Sequence, residues 1–102
     1  MLSIEINLQP NLEEKIKYLL QRNANKNLFF SDLISFKITE LTKANKNIEI
    51  DLRKYEKKYN ISSESFYNMF ESGKYDDSDD YLIWSGIYEL LLENKEELSK
   101  LL

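Results

Sequence analysis

The chain has 102 residues, enough for one compact domain or two small units that share a core. The net charge of −4 is unevenly divided: residues 1–58 carry +3 and residues 59–102 carry −7, so the two halves should prefer different partners. No apolar run reaches the ~20 residues that span a bilayer, and the first residues lack the basic start of a signal peptide, so we expect a cytoplasmic protein without membrane contact.

The first nine residues alternate apolar and polar side chains, a period of two that predicts a β-strand with one buried face. Pro10 ends this strand. No second strand of comparable quality follows, so the strand has no partner within the chain. The expected buried positions are Leu2, Ile4, Ile6 and Leu8, and the polar positions between them are Ser3, Glu5 and Asn7.

Two helices should complete the N-terminal half. Asn11 and Glu14 have the spacing of a helix cap, and the apolar residues after them lie on one face of a helix that ends near Arg22. The Asn-rich segment 23–27 predicts a loop, and Ser31 is the expected cap of the second helix. A further polar loop is expected at residues 44–47, and it suggests a boundary between units 1–45 and 46–102.

The C-terminal unit should contain about three helices. Apolar residues from Ile48 to Tyr59 recur at helical spacing, although the alternation over residues 48–52 also allows a strand. Ser62 or Ser63 can cap the next helix, which should stop at Gly73, and Ser78 can cap the last. One face of that last helix carries Trp84, Ile87, Tyr88 and Leu91, and Leu90, Leu92 and Leu98 should widen it. The predicted fold class is therefore mainly α, with a single N-terminal strand.

A strand and two helices, about 45 residues, bury too little surface to fold alone. We therefore expect an obligate homodimer in which two copies of residues 2–9 pair antiparallel about a two-fold axis. This order of elements resembles the ribbon-helix-helix family of DNA-binding proteins over residues 2–43. The resemblance implies a strand ribbon in the major groove of operator DNA.

The same resemblance implies roles for individual polar residues. Glu, Asn and Ser side chains can read base edges, and a helix start can hold a phosphate on its backbone N–H groups. The implied base-reading residues are Ser3, Glu5 and Asn7, the implied phosphate contact is Lys26, and the implied helix start is at Ser31. The alternative is that residues 2–9 form a dimerisation ribbon or an edge strand with no role in DNA binding.

Residues 66–88 are aromatic and acidic together, and they contain an aromatic turn with Gly73, the acidic run 76–80 and a Trp-containing helix. This arrangement resembles the C-terminal segment of a group of small bacterial antitoxins from toxin–antitoxin pairs. The resemblance implies that the N-terminal unit represses its own operon and that the C-terminal unit covers a cognate protein toxin, often a basic ribonuclease. In such an interface, aromatic side chains are buried in pockets of the partner, and acidic residues attract the basic partner as it approaches.

Some aromatic residues of this segment should instead form the core of a helical hairpin, because aromatics at helical spacing are usually core residues. The expected core residues are Phe66, Phe70, Trp84 and Tyr88, and the expected partner-binding residues are Tyr67, Tyr75, Tyr81, Asp76 and Asp77.

No motif for catalysis or for a cofactor is present, so we expect neither an enzyme nor a metal site. The run 76–80 does not fit a calcium loop, because its sixth and twelfth positions would be Tyr81 and Ile87. Two hypotheses remain. The first is a homodimeric antitoxin that also binds DNA, and the second is a small dimeric scaffold protein without DNA binding, which the acidic net charge favours.

Overall fold

The computed structural model describes all 102 residues and contains four α-helices and no β-strand. The helices are α1 (Pro10–Arg22), α2 (Lys26–Tyr59), α3 (Ser63–Glu71) and α4 (Asp79–Leu101). The expectation of a mainly α fold is confirmed. None of the helices combines the length and the apolarity needed to cross a lipid bilayer.

The predicted N-terminal ribbon is wrong. Residues 1–9 form no regular structure, and Leu2, Ile4 and Ile6 keep 83%, 62% and 64% of their surface exposed. Period-two alternation alone does not make a strand, because the backbone N–H and C=O groups also need a neighbouring strand. The chain offers no such neighbour, so the ribbon-helix-helix arrangement is not found.

Contacts divide the chain into two units, residues 1–35 and residues 36–102. The expected boundary at 45/46 falls inside α2, which is continuous for 34 residues. The loop predicted at residues 44–47 is absent because Asn45 is buried, as are Leu41 and Leu52 on the same helix. Asn disfavours a helix by no more than about 0.7 kcal/mol relative to Ala, and the packing of these leucines outweighs that cost.

In the first unit, α1 begins at Pro10, because the fixed φ of proline suits the first helical position. The expected cap, Asn11, therefore lies within the helix. The predicted end at Arg22 is confirmed, and both the backbone N–H and the Nδ2 of Asn23 donate to the carbonyl oxygen of Leu19. No side chain of residues 1–35 is fully buried.

The start of α2 lies five residues before the predicted cap, Ser31, which is inside the helix. Asn25 takes the capping role, since its Oδ1 accepts a hydrogen bond of 3.0 Å from the backbone N–H of Leu28. The predicted loop at 23–27 is therefore shorter than expected. An Asn side chain can either cap a helix or sit in a loop, and here the local hydrogen bond decides.

The second unit is built around an aromatic cluster. Trp84 and Phe66 are completely buried, and their rings stack at 3.8 Å between centroids with an interplanar angle of 2°. Tyr55 and Tyr59 of α2 also stack on Trp84, each at 5.6 Å. The indole Nε1 of Trp84 donates a 2.9 Å hydrogen bond to the hydroxyl of Ser63. These contacts join α2, α3 and α4, and they confirm the predicted core, in which Phe70 and Tyr88 are half-buried.

The predicted ends of α3 and the start of α4 are confirmed. The hydroxyl of Ser62 accepts a hydrogen bond from the backbone N–H of Ser65 at the start of α3. Gly73 follows α3 with φ of +81°, the left-handed conformation that glycine adopts without strain. Ser78 is the N-cap residue of α4, although its side chain makes no capping hydrogen bond.

Candidate partner-binding surface

One side of α4 is turned away from the aromatic cluster and carries exposed apolar side chains. Leu82, Ile83 and Leu90 are 47%, 51% and 46% exposed. At ~100° per residue, Leu82 and Gly86 are rotated by ~160° from Trp84, Leu90 by ~120° and Ile83 by ~100°, so all four face away from it. We call this surface the α4 outer face, and its members are Leu82, Ile83, Gly86, Leu90 and the carboxylates Asp79, Glu89, Glu93 and Glu97.

Gly86 has no role in the packing of its own chain. It lies near the middle of the 23-residue helix α4, and a Cβ built at this position would meet no atom within 4 Å. Its φ is not in the left-handed region, so the backbone does not require glycine either. Glycine inside a helix costs about 0.5–1 kcal/mol relative to alanine. The position therefore leaves a shallow notch between Ile83 and Leu90 at a cost in stability.

The four carboxylates of the α4 outer face are exposed and form no ion pair within the chain. No cation lies on this side of the helix before Lys100, which pairs with Glu96 at 3.8 Å. An apolar centre with a polar, charged rim is the usual anatomy of a protein–protein interface. The charge of the rim selects a cationic partner.

The three tyrosines expected to anchor a partner lie at the edge of the aromatic cluster. Tyr67 packs edge-on against Tyr88 at 5.1 Å, and burial raises the pKa of the Tyr67 hydroxyl. Tyr75 and Tyr81 contact each other at 4.9 Å, and both pack on Phe66. All three are half-buried, so only part of each ring is accessible to a partner.

The two predicted acidic residues, Asp76 and Asp77, are exposed in the loop before α4. Asp76 accepts a 3.0 Å hydrogen bond from the backbone N–H of Ser78, which shapes the turn into the helix. The side chain of Asp77 is exposed and extends the acidic surface toward Asp79.

The residues predicted to bind DNA are not brought together as a ribbon. Ser3, Glu5 and Asn7 are exposed in the irregular N-terminal segment. Lys26 is the first residue of α2, and its Nζ donates a 2.7 Å hydrogen bond to the carbonyl oxygen of Leu20. Ser31 is exposed within α2, so its backbone N–H does not lie at the free end of a helix.

A shallow cleft of about 350 Å³ lies between α2 and α4, but its charges pair with each other. Lys58 and Tyr59 both donate to the same carboxylate oxygen of Asp80, with a Lys58 Nζ–Oδ2 distance of 2.6 Å. The hydrogen bond from Lys58 lowers the pKa of Asp80, and the bond to Asp80 raises the pKa of both Lys58 and Tyr59. This triad ties the end of α2 to the start of α4, and no group of three or more acidic side chains could hold a metal ion.

The apolar centre of the α4 outer face was not among the predicted site residues. Leu90 was expected on the buried stripe with Leu92, yet both are exposed, at 46% and 43%. The angular positions along the helix indicate that this face is exposed, since Leu90 is rotated by about 120° from Trp84 and Gly86 by about 160°. No protein-family model, no curated protein and no solved structure matches the chain.

Proposed function

We propose that this chain is an antitoxin-like protein that neutralises a basic partner protein, a cognate toxin, by covering it with the α4 outer face. The observation that carries this proposal is the combination on one side of α4 of half-exposed apolar residues, an otherwise unexplained glycine and four unpaired carboxylates. The acidic loop at Asp76 and Asp77 continues this surface.

The apolar centre supplies affinity and the acidic rim supplies orientation. Complete burial of a Leu or Ile side chain contributes about 1.5–3 kcal/mol, so burying the exposed half of Leu82, Ile83 and Leu90 contributes roughly 1 kcal/mol each. The notch at Gly86 lets a partner backbone or a large side chain approach the helix closely. Carboxylates around a patch of this kind raise the association rate of a cationic partner by a factor of ~10–1,000 at low salt.

The first unit supports a homodimer. Its apolar residues have little to pack against within the chain, since Leu28, Leu33 and Ile34 of α2 are 58%, 58% and 45% exposed. Residues 1–35 carry four cations and four anions, so two copies do not repel each other. The dimer contact in this proposal is made by helix faces and not by a strand ribbon. We place the protein in the cytoplasm, where a toxin that attacks RNA would act.

Co-expression with the product of the adjacent gene tests the toxin-binding surface. Leu90→Arg places a cation in the centre of the α4 outer face and should abolish co-purification. Leu92→Arg is the matched control, because Leu92 is equally exposed on the same helix but lies on a different side. The proposal requires that the control still binds. Equal retention by both variants, or no co-purification by the unmodified chain, would exclude this surface.

The second candidate is a dimeric scaffold protein that binds neither toxin nor DNA. The observation that favours it is that residues 1–35 contain no fully buried side chain. A second copy of the chain would be enough to bury these residues, without a toxin or DNA. Sedimentation equilibrium separates the possibilities when combined with the co-expression experiment. A mass of two chains without capture of the adjacent gene product would favour the scaffold.

A further inference from the structure

The solvent side of α2 in the second unit carries a stripe of cations. At ~100° per residue, these side chains are rotated by ~80–180° from the buried residues Asn45 and Leu52, with Arg53 nearest to them. The stripe runs for about 21 Å along the helix, at a rise of ~1.5 Å per residue. We call it the α2 basic stripe, and it consists of Lys43, Lys46, Ile50, Arg53, Lys54 and Lys57.

The cations of the stripe are available to a ligand. All are exposed, and only Lys54 forms an ion pair, with Asp51 at 3.5 Å. The nearby acids Glu49 and Glu56 are half-buried and line a small pocket with Arg53, and Glu56 accepts a hydrogen bond from the backbone N–H of Ser63. Lys43, Lys46 and Lys57 therefore form no ion pair, whereas Lys54 is paired with Asp51 and Arg53 lines a pocket with Glu49 and Glu56.

We infer that the α2 basic stripe binds the phosphate backbone of double-stranded DNA without reading its sequence. Lysine and arginine on one helix face are the usual contacts to phosphates. The stripe contains no aromatic side chain on which unpaired bases could stack, which disfavours single strands. Its helix is ~10–12 Å across, which fits the ~12 Å major groove of B-DNA, whereas the deep, narrow groove of RNA duplexes excludes a helix.

The acidic net charge does not prevent this contact at physiological salt. The α4 outer face and the α2 basic stripe both point away from the aromatic side chains through which α2 contacts α4. Each helix is ~10–12 Å across, so two helix diameters separate the two charged surfaces by roughly 20 Å. The Debye length at 0.15 M salt is ~8 Å, and the acids are therefore largely screened from DNA bound at the stripe.

This inference is independent of the proposed toxin binding, because the two surfaces share no residue. It also assigns a different part of the chain to DNA than residues 3–7. The probe is a fluorescently labelled random-sequence duplex of 24 base pairs, titrated with the full chain at 50–200 mM salt. We expect Kd values of about 1–100 µM and a slope of log K against log salt near −4, which is a loss of ~10²-fold in affinity over this range.

Two matched triple variants test the location. Replacing Lys46, Arg53 and Lys57 together by Gln should reduce the magnitude of the salt slope by about 3 and weaken binding at 50 mM salt at least ~10-fold. Gln and Lys have similar helix propensities, so α2 should remain folded. The control replaces Lys15, Lys74 and Lys95 by Gln, which changes the net charge equally but leaves the stripe intact. Its affinity should stay within about twofold of the original.

Equal loss of binding in both variants would mean that only net charge matters, and it would overturn the inference. Absence of binding by the unmodified chain at 50 mM salt would overturn it as well. Tighter binding to an RNA duplex of the same length would assign the stripe to a different ligand. Salt-sensitive self-association that the stripe variant removes, without DNA binding, would assign the stripe to the α4 outer face of a second copy and also refute the proposal.

Discussion

Replacement of Gly86 by alanine should make the protein more stable. The added Cβ meets no atom within 4 Å, and the backbone φ is one that alanine adopts freely. Alanine also loses less backbone entropy than glycine on entering a helix. The expected gain in the free energy of unfolding is therefore about 0.5–1 kcal/mol. For a domain of about 100 residues, this corresponds to a rise in Tm of roughly 2–8 °C.

Urea denaturation followed by the fluorescence of Trp84, the only tryptophan, measures this gain. The midpoint should rise while the m value stays constant, because the surface exposed on unfolding hardly changes. The same variant should bind the adjacent gene product more weakly if the notch receives a partner. A lower midpoint would show that the native state uses the space at Gly86, and it would refute the argument that this glycine serves a partner.

Three other substitutions test the core and the helix junctions. Ser63→Ala removes the acceptor of the buried Trp84 N–H and should cost about 1–3 kcal/mol in urea denaturation, whereas a loss below 0.5 kcal/mol would mean that the indole finds another acceptor. Asn45→Leu removes a buried Oδ1 that has no hydrogen-bond partner and should raise stability by roughly 1–3 kcal/mol, and a destabilised variant would contradict this account. The pKa of Asp80 is lower in the folded protein than its unfolded value of 3.8, so its contribution to stability is present above pH 3.8 and is lost as the pH falls through the folded pKa. Asp80→Asn should therefore make the unfolding midpoint depend less on pH between pH 5 and 2, and an unchanged pH profile would exclude this role.

The C-terminal unit could be predicted largely from the sequence because its signals are local. Ser62 and Gly73 mark helix ends through hydrogen bonds and dihedral angles that depend on few neighbours. Phe66 and Trp84 lie at helical spacing with other apolar residues, and large aromatics at such positions pack together. The same reasoning placed Leu90 in the core, because spacing alone does not define how wide the buried stripe is.

The N-terminal half could not be predicted in the same way. The alternation of residues 2–8 fits a strand, but strand formation depends on a neighbour that the sequence pattern does not supply. Asn25 and Asn45 have the same side chain, yet one caps a helix and the other is buried within it. Their difference comes from tertiary packing, which local sequence rules do not contain.

The aromatic cluster joins α2, α3 and α4 near the start of α4 and not near its end. Trp84 lies near the start of α4, where Tyr59 and Asp80 also join the helices, whereas no side chain after Leu91 is fully buried. Amide hydrogens near Trp84 should therefore exchange with solvent only when the whole unit unfolds, and those beyond Leu98 should exchange by fraying. Opening of this unit thus begins at the C-terminus, and a protease would reach the last turns of α4 long before it reaches the aromatic rings.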